Sequence, residues 1–135
     1  MKMIFVCTGN TCRSPLAESY AKTRFKNAEF ASRGLMVISS DTSKASIDII
    51  ERESLAPPTS PEQLKEEDVE GSLLLVMTPE HKMAIEQRHP DANVKLISEF
   101  ADGSTEPIAD PYGGSAKNYE VVYNQLRSFI DKFDL

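Results

Sequence analysis

Short, continuous apolar runs alternate along this chain with stretches in which apolar positions recur every three or four residues. Residues 3–6 are an unbroken apolar run closed by turn-forming residues, the pattern of a buried strand. A helix is expected from Ser14, with Ser14 as N-cap and Pro15 in the first helical position, where a missing N–H costs nothing. Leu16, Ala17, Tyr20, Ala21 and Phe25 give it one apolar face. Residues 29–33 read as a second strand stopped by Gly34, and Ala45, Ile49 and Ile50 suggest a helix over 44–54.

Farther along, Ser60-Pro61-Glu62-Gln63 has the form of a capping box, so a short helix should follow it. Residues 72–77 are the best strand in the chain, followed by a helix over 78–89 with Thr78 as cap and Pro90 beyond its end. Residues 94–97 form a fourth strand, and 101–115 a loop containing Gly, Pro and Asp. Ser115 should cap the last helix, in which Tyr119, Val122, Leu126, Phe129, Ile130 and Phe133 share a face. This alternation predicts an α/β fold, a parallel sheet with helices on both faces. Ligands in such folds lie beyond the carboxyl ends of the strands.

Composition narrows the function. At 135 residues the chain suits one domain, spanning 1–135, and neither a repeat nor a low-complexity linker divides it. A net charge of −6 argues against a general nucleic-acid binder, which needs a basic face. No apolar run approaches the roughly 18 residues of a membrane span, and the N-terminus lacks the long apolar region of a signal peptide. A cytoplasmic protein is expected, with Cys7 and Cys12 as thiols.

Candidate chemistry gathers where the first strand meets the first helix, in Cys7-Thr8-Gly9-Asn10-Thr11-Cys12-Arg13-Ser14. Small residues let the backbone curl, and Gly9 and Asn10 both tolerate left-handed conformations. Successive N–H groups in such a curl form an anion nest, reinforced by the helix dipole, and Arg13 adds a fork for two phosphate oxygens. A Cys7 thiolate at the bottom of that bowl would attack phosphorus, giving a thiophosphate that water later removes. Ser14 is placed to hydrogen-bond the sulfur as it leaves. A lone strand-end cysteine is often structural; the full C-x5-R-S constellation between strand and helix favours the catalytic reading.

With Asp110-Pro111-Tyr112-Gly113-Gly114 near the C-terminus, this loop resembles that of the low-molecular-weight protein tyrosine phosphatases. The resemblance covers nearly the whole chain. It implies a flavodoxin-like, four-stranded parallel sheet, with Cys7 as nucleophile, Arg13 as phosphate clamp, Asn10 and Ser14 as loop-ordering residues, and Asp110 as general acid. Asp110 also follows from chemistry: the leaving group needs a proton, and the same carboxylate can then activate water. His81 and His89, on one helix, are placed away from the loop in this reading, and Asp-Pro with Gly-Gly taken alone is simply turn chemistry.

Two departures bear on the substrate. The tyrosine-specific eukaryotic members resembled here carry a bulky aliphatic residue where this chain has Thr11, and two aromatics after Asp-Pro where it has only Tyr112. Both match the bacterial protein-arginine phosphatase branch. A buried phosphoguanidinium is rich in N–H donors that need acceptors, which Thr11 and Asp110 can provide, while Tyr112 packs against one face. Phosphotyrosine hydrolysis by the same mechanism is the alternative, and an idle phosphoprotein-binding module a more distant one. Arsenate reduction is disfavoured because the relay cysteines are missing. Cys12 either packs beneath the loop or forms a protective disulfide with Cys7. The C-x4-C spacing with no further ligands makes a poor zinc site, and the mechanism requires neither metal nor cofactor. The partners expected are phosphorylated proteins, acting on a monomer.

Overall fold

The four expected strands all form, and their order in space accounts for their burial. In the computed structural model, which describes residues 2–135, β1 (Lys2–Cys7), β2 (Glu29–Gly34), β3 (Ser72–Val76) and β4 (Asn93–Leu96) pair in parallel in the order β2-β1-β3-β4. β1 and β3 are the inner strands. Successive side chains of β1 alternate between faces: Met3, Phe5 and Cys7 join one apolar cluster with Leu16, Leu75 and Ile130. Ile4 and Val6 join the other, with Leu74, Val76 and Ile85.

Helices cover both faces, as expected. α1 (Arg13–Arg24), α2 (Lys44–Arg52), α5 (Ile97–Asp102) and α6 (Ala116–Ile130) pack on the first. α3 (Glu66–Val69) and α4 (Pro79–Arg88) pack on the second. The six apolar residues named for the last helix are all buried. Fully burying a side chain such as Phe5 or Leu75 stabilises by roughly 1.5–3 kcal/mol, so the inner strands are a firm base for the loop after β1. Among the described residues, no helix is long and apolar enough to cross a membrane.

Four local expectations need correction. α1 starts at Arg13 with Cys12 as N-cap, so Ser14 lies inside the first turn and caps nothing. Its hydroxyl has partners in the loop instead. No helix follows Ser60 directly: Gln63 makes a parallel bridge to Gly34, with Gly34 N–H donating to Glu62 O and Leu64 N–H to Gly34 O, both at 2.8 Å. The segment thereby pairs part of the open edge of β2, and helix begins only at Glu66, where Lys65 N–H donates to Asp68 Oδ2. α2 stops at Arg52, and Ser54 takes φ 54°. Ile97 opens α5 rather than ending a strand: Leu96 N–H donates to Glu99 Oε1 at 2.8 Å, and Gly103, at φ 81°, closes the helix.

Candidate active site

The loop from Cys7 to Ser14 curls at the carboxyl end of β1, where the sheet rule places a ligand. Asn10, not Gly9, takes the left-handed turn, at φ 56°. Asn and Asp tolerate this region because short polar side chains can bond locally, and here the partner is Ser14: its Oγ donates to Asn10 Oδ1 at 2.7 Å. Asn10 Nδ2 donates in turn to Ser32 O at 3.4 Å. Ser14 Oγ also lies 3.0 Å from Cys7 Sγ, so one fully buried hydroxyl joins the sulfur to the residue that turns the loop.

Neighbouring segments support the curl from outside. Leu35 N–H donates to Cys7 O and Met36 N–H to Thr8 O, at 3.0 and 2.8 Å. Ser43 N–H donates to Thr11 O, and Ser46 Oγ to Cys12 O. Gly34, read from sequence only as a strand stop, packs directly against the loop. A Cβ there would sit 3.0 Å from both the Asn10 nitrogen and the Gly9 carbonyl carbon.

Arg13 is 4% exposed. Its Nη1 donates to Ile108 O at 3.0 Å, and its Nη2 lies 3.7 Å from Asp110 Oδ2. Asp110 arrives from the loop before α6, with its side chain 56% exposed and Oδ1 accepting from Tyr112 N–H at 3.0 Å. Cys7, Thr8, Gly9, Thr11, Cys12 and Arg13 line one cleft of about 760 Å³ together with Asp110 and Tyr112. Asn10 and Ser14 are buried behind it as its internal braces. Cys12 Sγ contacts Tyr119 Oη at 3.4 Å and Thr11 Oγ1 at 3.6 Å; both cysteines are free thiols. Burial and the bond to Cys12 push the Tyr119 phenol up to about 12, so its hydroxyl keeps its proton at neutral pH.

The Arg13 guanidinium, the Cys7 thiol and the Asp110 carboxylate thus share one cleft, a set suited to a tetrahedral oxyanion. One family model, that of the low molecular weight phosphotyrosine protein phosphatases, matches residues 2–134. The chain belongs to this family. A curated relative, the low molecular weight protein-tyrosine-phosphatase PtpB of Staphylococcus epidermidis, is 40% identical over 98% of this chain and 96% of its own. Among solved structures, the YwlE arginine phosphatase of Geobacillus stearothermophilus superposes with a TM-score of 0.91 at 31% identity, covering 97% of this chain and 88% of that one. A YwlE cysteine-to-serine mutant with a phosphorylated active-site serine gives a TM-score of 0.93 at 29% identity, over 98% and 92% of the two chains. The four-stranded sheet is thus the family fold, and the chain is a low-molecular-weight protein phosphatase.

Two groups around this phosphatase cleft come from outside the loop. Met36 and Ile38, in a stretch (36–40) that could border the entrance but whose pattern does not show it, form an apolar rim, Ile38 being 92% exposed. Lys44 pairs with Asp48 on α2. The second group is His81, and the placement of both histidines away from the loop is wrong for it. His81 Nε2 lies 2.9 Å from Thr8 Oγ1. The strand order carried the signal: β3 neighbours β1, so the first turn of the helix after β3 must lie beside the loop after β1. Burial, and then the Arg13 charge, push the imidazole down to about 4, so it is neutral at pH 7.

Proposed function

We propose that this phosphatase hydrolyses phosphoarginine in phosphorylated proteins, acting as a single-domain monomer without metal or cofactor. The Cys7 thiolate attacks phosphorus in line. The S–P bond forms as the P–N bond breaks, and Asp110 delivers its proton to the departing guanidine nitrogen, which would otherwise leave as an anion. Arg13 and the N–H groups from Thr8 to Cys12 hold the equatorial oxygens as charge develops on them. Water then attacks phosphorus, Asp110 takes its proton, and the S–P bond breaks to release the Cys7 thiolate, toward which the Ser14 hydroxyl turns from Asn10 Oδ1 to donate its one hydrogen. The phosphorylated active-site serine of the YwlE mutant supports the nucleophile assignment by analogy.

The observation carrying the substrate reading is Thr11. It lines the cleft with Asp110 and Tyr112, where its hydroxyl can accept from a buried guanidinium N–H that an aliphatic side chain would leave unpaired. The arginine phosphatase neighbours support the same reading. Phosphotyrosine is the second reading, favoured by the apolar rim of Met36, Ile38 and Tyr112 and by the relative named a tyrosine phosphatase. Thr11→Ile distinguishes them: the ratio of kcat/KM for phosphotyrosine over phosphoarginine peptides should rise about tenfold or more. An unchanged ratio contradicts the role given to Thr11. Cys12 is a free thiol lining the same cleft as Cys7, and besides packing against Tyr119 we infer for it a resolving role: a peroxide oxidises Cys7 to the sulfenic acid, Cys12 attacks that sulfur, and water leaves as the disulfide forms.

A further inference from the structure

His81 takes no part in these steps, yet it is only 8% exposed and makes a side-chain bond to the residue directly after Cys7. Its backbone N–H is fixed by Thr78 Oγ1 at 3.2 Å, which sets the first turn of α4 against the loop. Thr8 is held on a second side by Met36 N–H, which donates to its carbonyl. On the ring's far side, Nδ1 is buried and has no hydrogen-bond partner among the described residues.

That orphaned nitrogen decides how the ring is used. A neutral imidazole carries one N–H. Placed on Nδ1, the hydrogen would be a buried donor without an acceptor, the rarer and costlier kind of orphan. Placed on Nε2, it donates to Thr8 Oγ1 and leaves only a lone pair unsatisfied. A neutral ring also adds no second cation beside Arg13 to compete for the phosphoryl group.

We propose that His81 is a positioning residue for the phosphate-binding loop, its Nε2–H tautomer donating to Thr8 Oγ1 and so fixing Thr8 and the first N–H groups of the nest. It acts through Thr8 and never touches the reacting atoms. The loop is therefore held from three directions: by Gly34 and the 35–36 backbone, by the start of α2, and by the start of α4 through this bond. The inference rests on the phosphatase reading of the loop but not on the choice of substrate.

Two measurements test it. Long-range ¹⁵N correlation of the native protein at pH 7 should report His81 as the Nε2–H tautomer; an Nδ1–H tautomer or an imidazolium overturns the proposal. A double-mutant cycle on Thr8→Val and His81→Phe, read as kcat/KM for an aryl phosphate and as orthovanadate affinity, tests the coupling. Each single change should cost about tenfold, and the double variant no more than either single. His81→Gln, whose amide can donate to Thr8, should recover most of the loss. Multiplicative losses, or no loss, contradict the proposal. If His81→Phe does not fold, Thr8→Val against His81→Gln and the tautomer decide the question. A wild-type protein that turns over no aryl phosphate would refute the phosphatase mechanism instead, and the tautomer would still judge His81.

Discussion

Gly34→Ala should disable the enzyme from outside the cleft. The residue ends β2, pairs with Cys7 in the sheet, and presents its missing side chain to the back of the loop. An added Cβ would lie 2.7 Å from Val37 Cγ2 and 3.0 Å from the Asn10 nitrogen and Gly9 carbonyl carbon. Ordinary carbon contacts begin near 3.5 Å, so each neighbour must retreat by roughly 0.5 Å or more. Two of the three atoms are backbone and cannot rotate aside. Overpacking of this kind costs about 1–3 kcal/mol in stability, and loop displacements approaching 1 Å cost up to about a hundredfold in rate. The expected result is a kcat/KM reduced by about ten- to a hundredfold, with a lower Tm. Gly103→Ala is the matched control: at φ 81° it strains the backbone by about 1–2 kcal/mol, but its Cβ would face open space. It should lower Tm and leave kcat/KM intact. If both variants keep wild-type kcat/KM, the loop does not depend on the packing of Gly34.

Two further outcomes follow from buried groups. His81 ordinarily titrates near 6.5 and in the fold only at about 4, with Arg13 opposing its charge and Glu80 and Asp110 favouring it. Between those values the unfolded chain binds a proton that the folded chain refuses, so stability falls as pH drops through that window, by about 1.4 kcal/mol per pH unit and roughly 3 kcal/mol in all. Urea midpoints for wild type and His81→Gln at pH 7 and pH 4.5 should show a shallower loss in the variant; parallel losses contradict the burial argument. Glu18 is fully buried, accepting from Ser32 Oγ at 2.6 Å and Thr59 N–H at 3.1 Å and pairing with Lys22 at 2.6 Å. Glu18→Ala leaves those donors without an acceptor and should cost about 3 kcal/mol in chemical denaturation; a loss below about 1 kcal/mol would show that the network is not structural.

The fold was legible wherever burial imposed a period. Continuous apolar runs identified β1 and β3, shorter apolar stretches bounded by turn residues identified β2 and β4, and the three- and four-residue spacing from Tyr119 to Phe133 identified α6. Errors fell where one local signal competed with a tertiary one. Ser14 has the chemistry of a cap, but its hydroxyl is taken by Asn10 and Cys7; the Ser60–Gln63 pattern gave way to pairing along the exposed edge of β2. In the site, residues adjacent in sequence were found from spacing, and Asp110 from chemistry and resemblance. His81, Gly34 and the Met36–Ile38 rim come from elsewhere in the chain, and only strand order brings them to the loop.

The most direct test of the central claim compares kcat/KM for a phosphoarginine peptide and a matched phosphotyrosine peptide, in the presence of a metal chelator and with Cys7→Ser as control. A preference for phosphoarginine of at least about tenfold is expected, corresponding to one well-made hydrogen bond, with no turnover by Cys7→Ser. A preference for phosphotyrosine would contradict the substrate assignment and leave the thiophosphate mechanism standing. Turnover of either peptide no greater than that of Cys7→Ser would contradict the mechanism itself.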